Sequence, residues 1–138
     1  MTTPSLIVLG LDPGFAIVGW GVIEIMGNKK TAKGYGVIRT ATSQSFPARL
    51  ETLFQETQEL IARFKPDVVG IEQIYFYQNV TTGINVAHAR GVLVLACQKA
   101  HVPIYDPTPL QVKNTITGFG RATKQQIQTM VCAELRLK

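Results

Sequence analysis

Two acidic side chains stand where acids are costly. Asp12 closes the apolar run from Ser5 to Leu11, immediately before Pro13-Gly14. Glu72 is embedded in a second apolar run, Asp67 to Ile74. Glu is seldom buried and is a poor strand former, so its position there needs a reason. A helical segment from Pro47 separates the two runs, and a right-handed crossover through it makes them parallel strands. If those strands are neighbours, both acids lie towards the carboxyl ends of the sheet, where ligand sites of open α/β sheets gather. Carboxylates forced together there repel, and each is costly to desolvate unless protonated, paired or bound to a cation. Neither run carries a Lys or Arg beside its acid. A hard divalent ion, Mg²⁺ or Mn²⁺, is the economical partner. Asp12 alone is equally well read as a turn former in Asp-Pro-Gly; the pair carries the metal reading.

The elements that must position these acids follow from pattern. Ser5 to Leu11 reads as a strand, Ala16 to Met26 as a second, and Thr31 to Thr40 as a third after a Gly27-Asn28 turn, together an antiparallel meander. From Pro47, Leu50, Leu53, Phe54, Leu60, Ile61 and Phe64 recur at helical spacing until Pro66 stops them. Asp67 to Ile74 is a buried strand, about Asn79 to Ala100 a long helix, and Val102 to Tyr105 a fifth strand. Thr108-Pro109 starts a helix with an N-cap and Pro at the first helical position. Beyond a loop flanked by Gly118 and Gly120, Thr123 and Gln126 make a capping box for a last helix. Its apolar face carries Ile127, Met130, Val131 and Leu135. The order predicts an α/β layer with a mixed sheet, in one domain of 138 residues.

Composition narrows the partners. Fourteen Lys and Arg against nine Asp and Glu give a net charge of +5, which suits a polyanion or simply a basic protein. Cys97 and Cys132 lie among apolar neighbours in helical patterns and read as buried free thiols, in keeping with a reducing cytoplasm. The opening Met1-Thr2-Thr3-Pro4 lacks the features of a signal peptide, and no apolar stretch reads as long enough to span a membrane. A cytoplasmic protein without membrane contact is expected.

Asp12-Pro13-Gly14 followed by Gly19 also opens the phosphate-binding hairpin of the actin and sugar-kinase superfamily, but 138 residues are too few for its two domains. Longer signatures point elsewhere. Leu9-Gly10-Leu11-Asp12-Pro13-Gly14 with Gly19-Trp20-Gly21-Val22-Ile23 resembles the amino-terminal motif of the RuvC family of Holliday-junction resolvases. Ile71-Glu72-Gln73, Ala89-Arg90-Gly91-Val92 and Gln111-Val112-Lys113-Asn114-Thr115 are similar to its later motifs. Gly118-Phe119-Gly120 through Lys124-Gln125, and Met130-Val131, continue the likeness, which covers essentially the whole chain.

The resemblance implies an RNase H-like fold with a five-stranded mixed sheet ordered 3-2-1-4-5 and flanked by helices. It implies a crossover junction endodeoxyribonuclease of recombination and repair, a homodimer that nicks two strands of like polarity symmetrically. Each nick leaves a 5′-phosphate and a 3′-hydroxyl. In bacteria such an enzyme is expected to work with the RuvA and RuvB branch-migration proteins. Asp12 and Glu72 match the first two family carboxylates, which hold two Mg²⁺ or Mn²⁺ ions about 4 Å apart. Tyr75 and Phe76 match an aromatic site that stacks on or wedges between bases. Tyr75-Phe76-Tyr77 cannot all face one core from an extended segment, so at least one is expected at the surface. Lys113 and Lys124 match lysines near the scissile phosphate; solvated surface lysine is the plainer reading of each. Ile84, Ala87, Gly91 and Val94 fall on the helix that the family uses at its two-fold interface, although one face of that helix must also cover the sheet.

One departure bears on activity. The family draws further ligands from a last helix, an Asp or His followed three residues later by Asp, and no Asp occurs here after Asp106. The expectation is a form truncated before that motif, a single nuclease domain over 1–138 that lacks the helix, so that this chain binds metal weakly and cuts poorly. A junction-binding protein of the same fold without catalysis is the alternative.

Overall fold

The computed structural model describes residues 4–74, 79–118 and 122–137. β1 (Ser5–Asp12), β2 (Ile17–Met26) and β3 (Lys29–Arg39) form the antiparallel meander, with Gly27 at φ 58° in the β2–β3 turn. Helix α1 (Phe46–Phe64) crosses over to β4 (Val68–Ile71), which pairs parallel with β1. Helix α2 (Val80–Lys99) leads to β5 (Ile104–Tyr105), parallel with β4, and α3 (Pro109–Thr117) and α4 (Lys124–Leu135) follow. The sheet order is β3-β2-β1-β4-β5, as the resemblance implied.

The sheet keeps two different faces because side chains alternate along each strand. Leu9, Leu11, Val18, Val22, Val69 and Ile71 point to one face and form the core with Leu53, Leu60 and Ile61 of α1 and Ala89, Leu93 and Cys97 of α2. Trp20 shares that face and lies 5.7 Å from the Phe64 ring. Gly36 leaves room for it, since a Cβ there would stand 3.1 Å from the indole. The opposite face carries Gly10, Asp12, Gly19, Gly21, Gly70 and Glu72, by register with their inward-facing neighbours. Ser45 caps α1 by accepting from the Ala48 N–H, and both expected caps of the later helices form as capping boxes on Thr108 and Thr123.

Several boundaries differ from the sequence reading. β4 ends at Ile71, so Glu72 stands just past the strand rather than within it. β5 is only two residues long. One bond of that register continues beyond it, from the Gln73 N–H to the Pro107 carbonyl at 2.8 Å. Cys97 is buried, and burial pushes its thiol up to about 11, whereas Cys132 is only half-buried; both are free. The apolar face of α4 is half-covered, with Met130 exposed.

The membrane expectation also needs correction. α2 is long and apolar enough, by length and composition, to cross a bilayer. Sequence reading missed this because Thr82, Asn85, His88 and Arg90 interrupt the run without greatly lowering its mean. Val86, Ala89, Leu93, Ala96 and Cys97 of this helix are buried in the protein, whereas Val80, Ile84 and Leu95 are exposed.

Candidate active site

The two acids meet through backbone register. The last paired rung of β1 and β4 joins Leu11 to Ile71. One step on, the Glu72 N–H donates to the Leu11 carbonyl at 3.4 Å, which sets Glu72 beside Asp12 on the same face. On its other side Asp12 pairs with Gly19, where a Cβ would stand in ordinary contact with the Asp12 Cβ at 3.6 Å.

The turn that follows Asp12 is tightly held. A Cβ on Gly14 would run into the Ile17 carbonyl, so only glycine fits there without a backbone shift. Thr40 donates from its N–H to Ala16 O at 2.9 Å and from Oγ1 to Phe15 O at 2.8 Å. Arg49 donates from Nε to Thr40 Oγ1 at 2.9 Å and stacks over the Phe15 ring at 4.0 Å. The end of β1 is therefore braced from α1.

Above the acids lies an open depression of about 510 Å³ whose floor includes Gly10, Gly21 and Gly70 and whose walls include Val112, Ile116 and Val131. Burial in this apolar surrounding raises the Asp12 carboxyl above its ordinary range, and Lys124 partly offsets the effect. Glu72 is also raised, first by burial and then by the Asp12 charge, against an opposing pull from Lys113. Both acids hold a proton too readily for their ease, the condition that a hard cation relieves. The donor set fits such an ion, as oxygen ligands on adjacent strands. Among the described residues no group of three or more His, Cys, Asp or Glu gathers, so these two carboxylates are the protein ligands in view.

Neither strand carries a Lys or Arg beside its acid, but the resemblance already pointed to Lys113 and Lys124. The structure brings cations from elsewhere: Lys113 on α3 and Lys124 at the start of α4 both act on the acid pair. Tyr75 and Phe76 lie outside the described residues. On α2, Ile84, Ala87 and Gly91 are exposed, while Val94 is half-buried and packs against the core. Arg90 was noted only as part of a motif. It donates from Nε to the Glu72 carbonyl at 3.1 Å. The available signal was a lone Arg in an otherwise apolar stretch of helix, since a half-buried guanidinium must find acceptors.

The family model described as crossover junction endodeoxyribonuclease RuvC matches residues 8–138. The chain belongs to the RuvC family. The crossover junction endodeoxyribonuclease RuvC of Ruminiclostridium cellulolyticum is 46% identical over 132 residues, covering 96% of this chain and 80% of that protein. That of Heliobacterium modesticaldum is 43% identical over 133 residues, covering 96% and 82%. Among solved structures, Thermus thermophilus RuvC superposes with a TM-score of 0.88 at 31% identity, covering 96% of this chain and 82% of its own. The same RuvC in complex with a Holliday junction substrate gives 0.90 at 30% identity, covering 96% and 81%.

Proposed function

We propose that this RuvC family member is a metal-dependent endonuclease that resolves Holliday junctions. The observation that carries the reading is the side-by-side placement of Asp12 and Glu72, both raised by burial, at the end of two parallel strands. Crossover junction endodeoxyribonuclease is the name its relatives carry, and one solved relative holds a junction substrate.

Asp12 and Glu72 would hold Mg²⁺, or Mn²⁺, with two ions per active site in the complete protein. When bound there, the metal supplies activation of an attacking water and stabilisation of the leaving oxygen. Asp12 and Glu72 offer oxygen ligands and little else, leaving coordination positions for water and phosphate oxygens. Lys113 and Lys124 stand close enough to the acids to attract the same phosphate, and neither reads base sequence. Tyr75 and Phe76, which follow Glu72 closely in sequence, would stack on bases at the junction centre.

The assembly proposed is a homodimer through the exposed stripe of α2, so that two sites face a nearly two-fold symmetric junction and nick strands of like polarity. RuvA and RuvB are the proposed bacterial partners, the cytoplasm the proposed compartment, and residues 1–138 a single nuclease domain.

The test is a synthetic four-way junction with Mg²⁺, read by gel shift and by nicking. Asp12→Asn and Glu72→Gln should each bind the junction like the wild type and cut at least ~100-fold more slowly, because phosphate contacts dominate affinity while the acids hold metal. Equal loss of binding and cutting would make the acids structural.

A further inference from the structure

We infer that Arg90 is a positioning residue for Glu72, standing in for backbone donors that two prolines remove. The inference rests on Glu72 being a metal ligand, and it concerns what holds that ligand in place.

In a parallel pair each residue donates to one neighbour and accepts from the residue two further along the same strand. Glu72 donates to Leu11, so the next donor owed to the Glu72 carbonyl is the N–H of residue 13. That residue is Pro13, which has none. On the other edge, β4 pairs Val69 with Ile104 and Gly70 with Tyr105. Continued by one step, this register asks residue 107 for the N–H that would reach the Ile71 carbonyl, and Pro107 has none either.

Arg90 addresses both carbonyls. Its Nε donates to Glu72 O at 3.1 Å and its Nη2 reaches Ile71 O at 3.5 Å. The same Nη2 lies 3.8 Å from an Asp106 carboxylate oxygen, beside the chain that Gln73 grips through Asp106 O at 2.9 Å and Pro107 O at 2.8 Å. The planar fork of an Arg suits two acceptors at once in a way that a Lys ammonium on its flexible stem does not. Two orphaned carbonyls at a strand end would otherwise need water. With Arg90 in place, the strand end that carries Glu72 is tied to α2.

Partners that orient a metal ligand commonly matter to metal affinity about 10–100-fold when removed. The experiment is Mn²⁺ binding by the protein, followed by electron paramagnetic resonance of free Mn²⁺, alongside thermal unfolding in EDTA. Arg90→Lys keeps the charge without the fork, and Arg90→Gln keeps one neutral donor; neither leaves the site empty. Both should fold and should weaken Mn²⁺ binding ~10-fold or more. Glu72→Gln is the control. If Glu72→Gln weakens Mn²⁺ binding while both Arg90 variants bind as the wild type does, Arg90 serves only stability and the inference is wrong. If Glu72→Gln itself leaves binding unchanged, the metal role of Glu72 fails first, and the inference with it.

Discussion

Glu72 sits one step past the last β1–β4 rung, its N–H on the carbonyl of Leu11, and so comes to rest beside Asp12. Nothing in the strand pairing makes this comfortable. Two carboxylates share one edge of an apolar depression, and burial raises both. The fold therefore carries a local penalty that a bound cation would relieve, and that penalty can be measured without any DNA.

The first prediction is that removing an acid stabilises the metal-free protein. Each folded-state pKa lies above its ordinary value, 3.8 for Asp12 and 4.5 for Glu72. Between the ordinary and the raised value the folded state holds more protons than the unfolded chain, so stability falls as pH rises through that window. Above it the penalty is constant. Asp12→Asn and Glu72→Gln should therefore melt higher than the wild type in EDTA at neutral pH. The gain should vanish in acid, below the ordinary carboxylate values. Each kcal/mol of relieved cost corresponds to ~4 °C in a chain of this size. Saturating Mg²⁺ should raise the wild type and not the variants, by ~1.4 kcal/mol for each tenfold excess over Kd. Calorimetry in EDTA and in Mg²⁺ checks both halves. Variants less stable than the wild type in EDTA would contradict the strained pair.

A second prediction separates two roles for the lysines. Lys124 holds down the Asp12 carboxyl, and Lys113 holds down Glu72. If they also serve the metal site through these charges, Lys124→Gln and Lys113→Gln should each move the acid limb of the cutting rate to higher pH. On that limb the variants should cut several-fold more slowly than the wild type, with a smaller deficit at alkaline pH. A uniform loss across the profile would mean that the lysines act only on phosphate placement. Rates measured from acid to mildly alkaline pH, at saturating junction, decide the matter.

Assembly supplies the third. Val80, Ile84 and Leu95 are exposed on α2, with Ala87 and Gly91 between them. A Cβ at Gly91 would meet no neighbouring element within 4 Å in the monomer. Gly91→Arg should therefore leave the isolated fold intact, and should even gain up to ~1 kcal/mol of helix propensity. In a dimer built on this stripe the same change places two charges and two long side chains in a close contact. Sedimentation at micromolar concentration should show a wild-type dimer and a variant monomer of undiminished thermal stability. A variant that remains dimeric would move the interface off α2.

The elements and the acid pair were legible because alternation and helical spacing survive in short windows, and because Glu72 breaks a pattern in which Glu is costly; the strand order came only with the family resemblance. The end of β4 was not legible. Its apolar run continues to Ile74, and only the two-residue β5 and the prolines on either side stop the ladder at Ile71. The two lysines were placed by the family resemblance and not by the residue pattern, for a related reason. Lys113 and Lys124 lie far from Asp12 and Glu72 in sequence, and helical charge patterns say nothing about which helix folds back over the sheet. Arg90 was visible as an oddity within an apolar helix, but its acceptors are main-chain carbonyls, which leave no mark in sequence.

The last prediction concerns Tyr75 and Phe76, which lie outside the described residues and so rest on sequence. They follow Glu72 by three and four positions, so whatever they touch lies near the acids. A junction centre offers bases that are cheaper to unstack than those in continuous duplex. An aromatic ring gains ~1–3 kcal/mol by stacking on an exposed base, enough to change a rate by ~10-fold or more. The gain would be spent in drawing the junction open, which carries a phosphate towards Asp12 and Glu72. Tyr75→Ala should accordingly slow cutting more than it weakens junction binding, whereas loss of a phosphate contact weakens binding for every sequence alike. The substrate can complement the protein. A junction with one unpaired base beside the cleavage point has already met the unstacking cost, and it should restore part of the cutting lost in Tyr75→Ala. Nicking rates on paired and unpaired junctions, compared for wild type, Tyr75→Ala and Phe76→Ala, read this directly. If the unpaired base rescues Phe76→Ala and not Tyr75→Ala, Phe76 is the wedge; if it rescues neither, stacking at this segment does not open the junction.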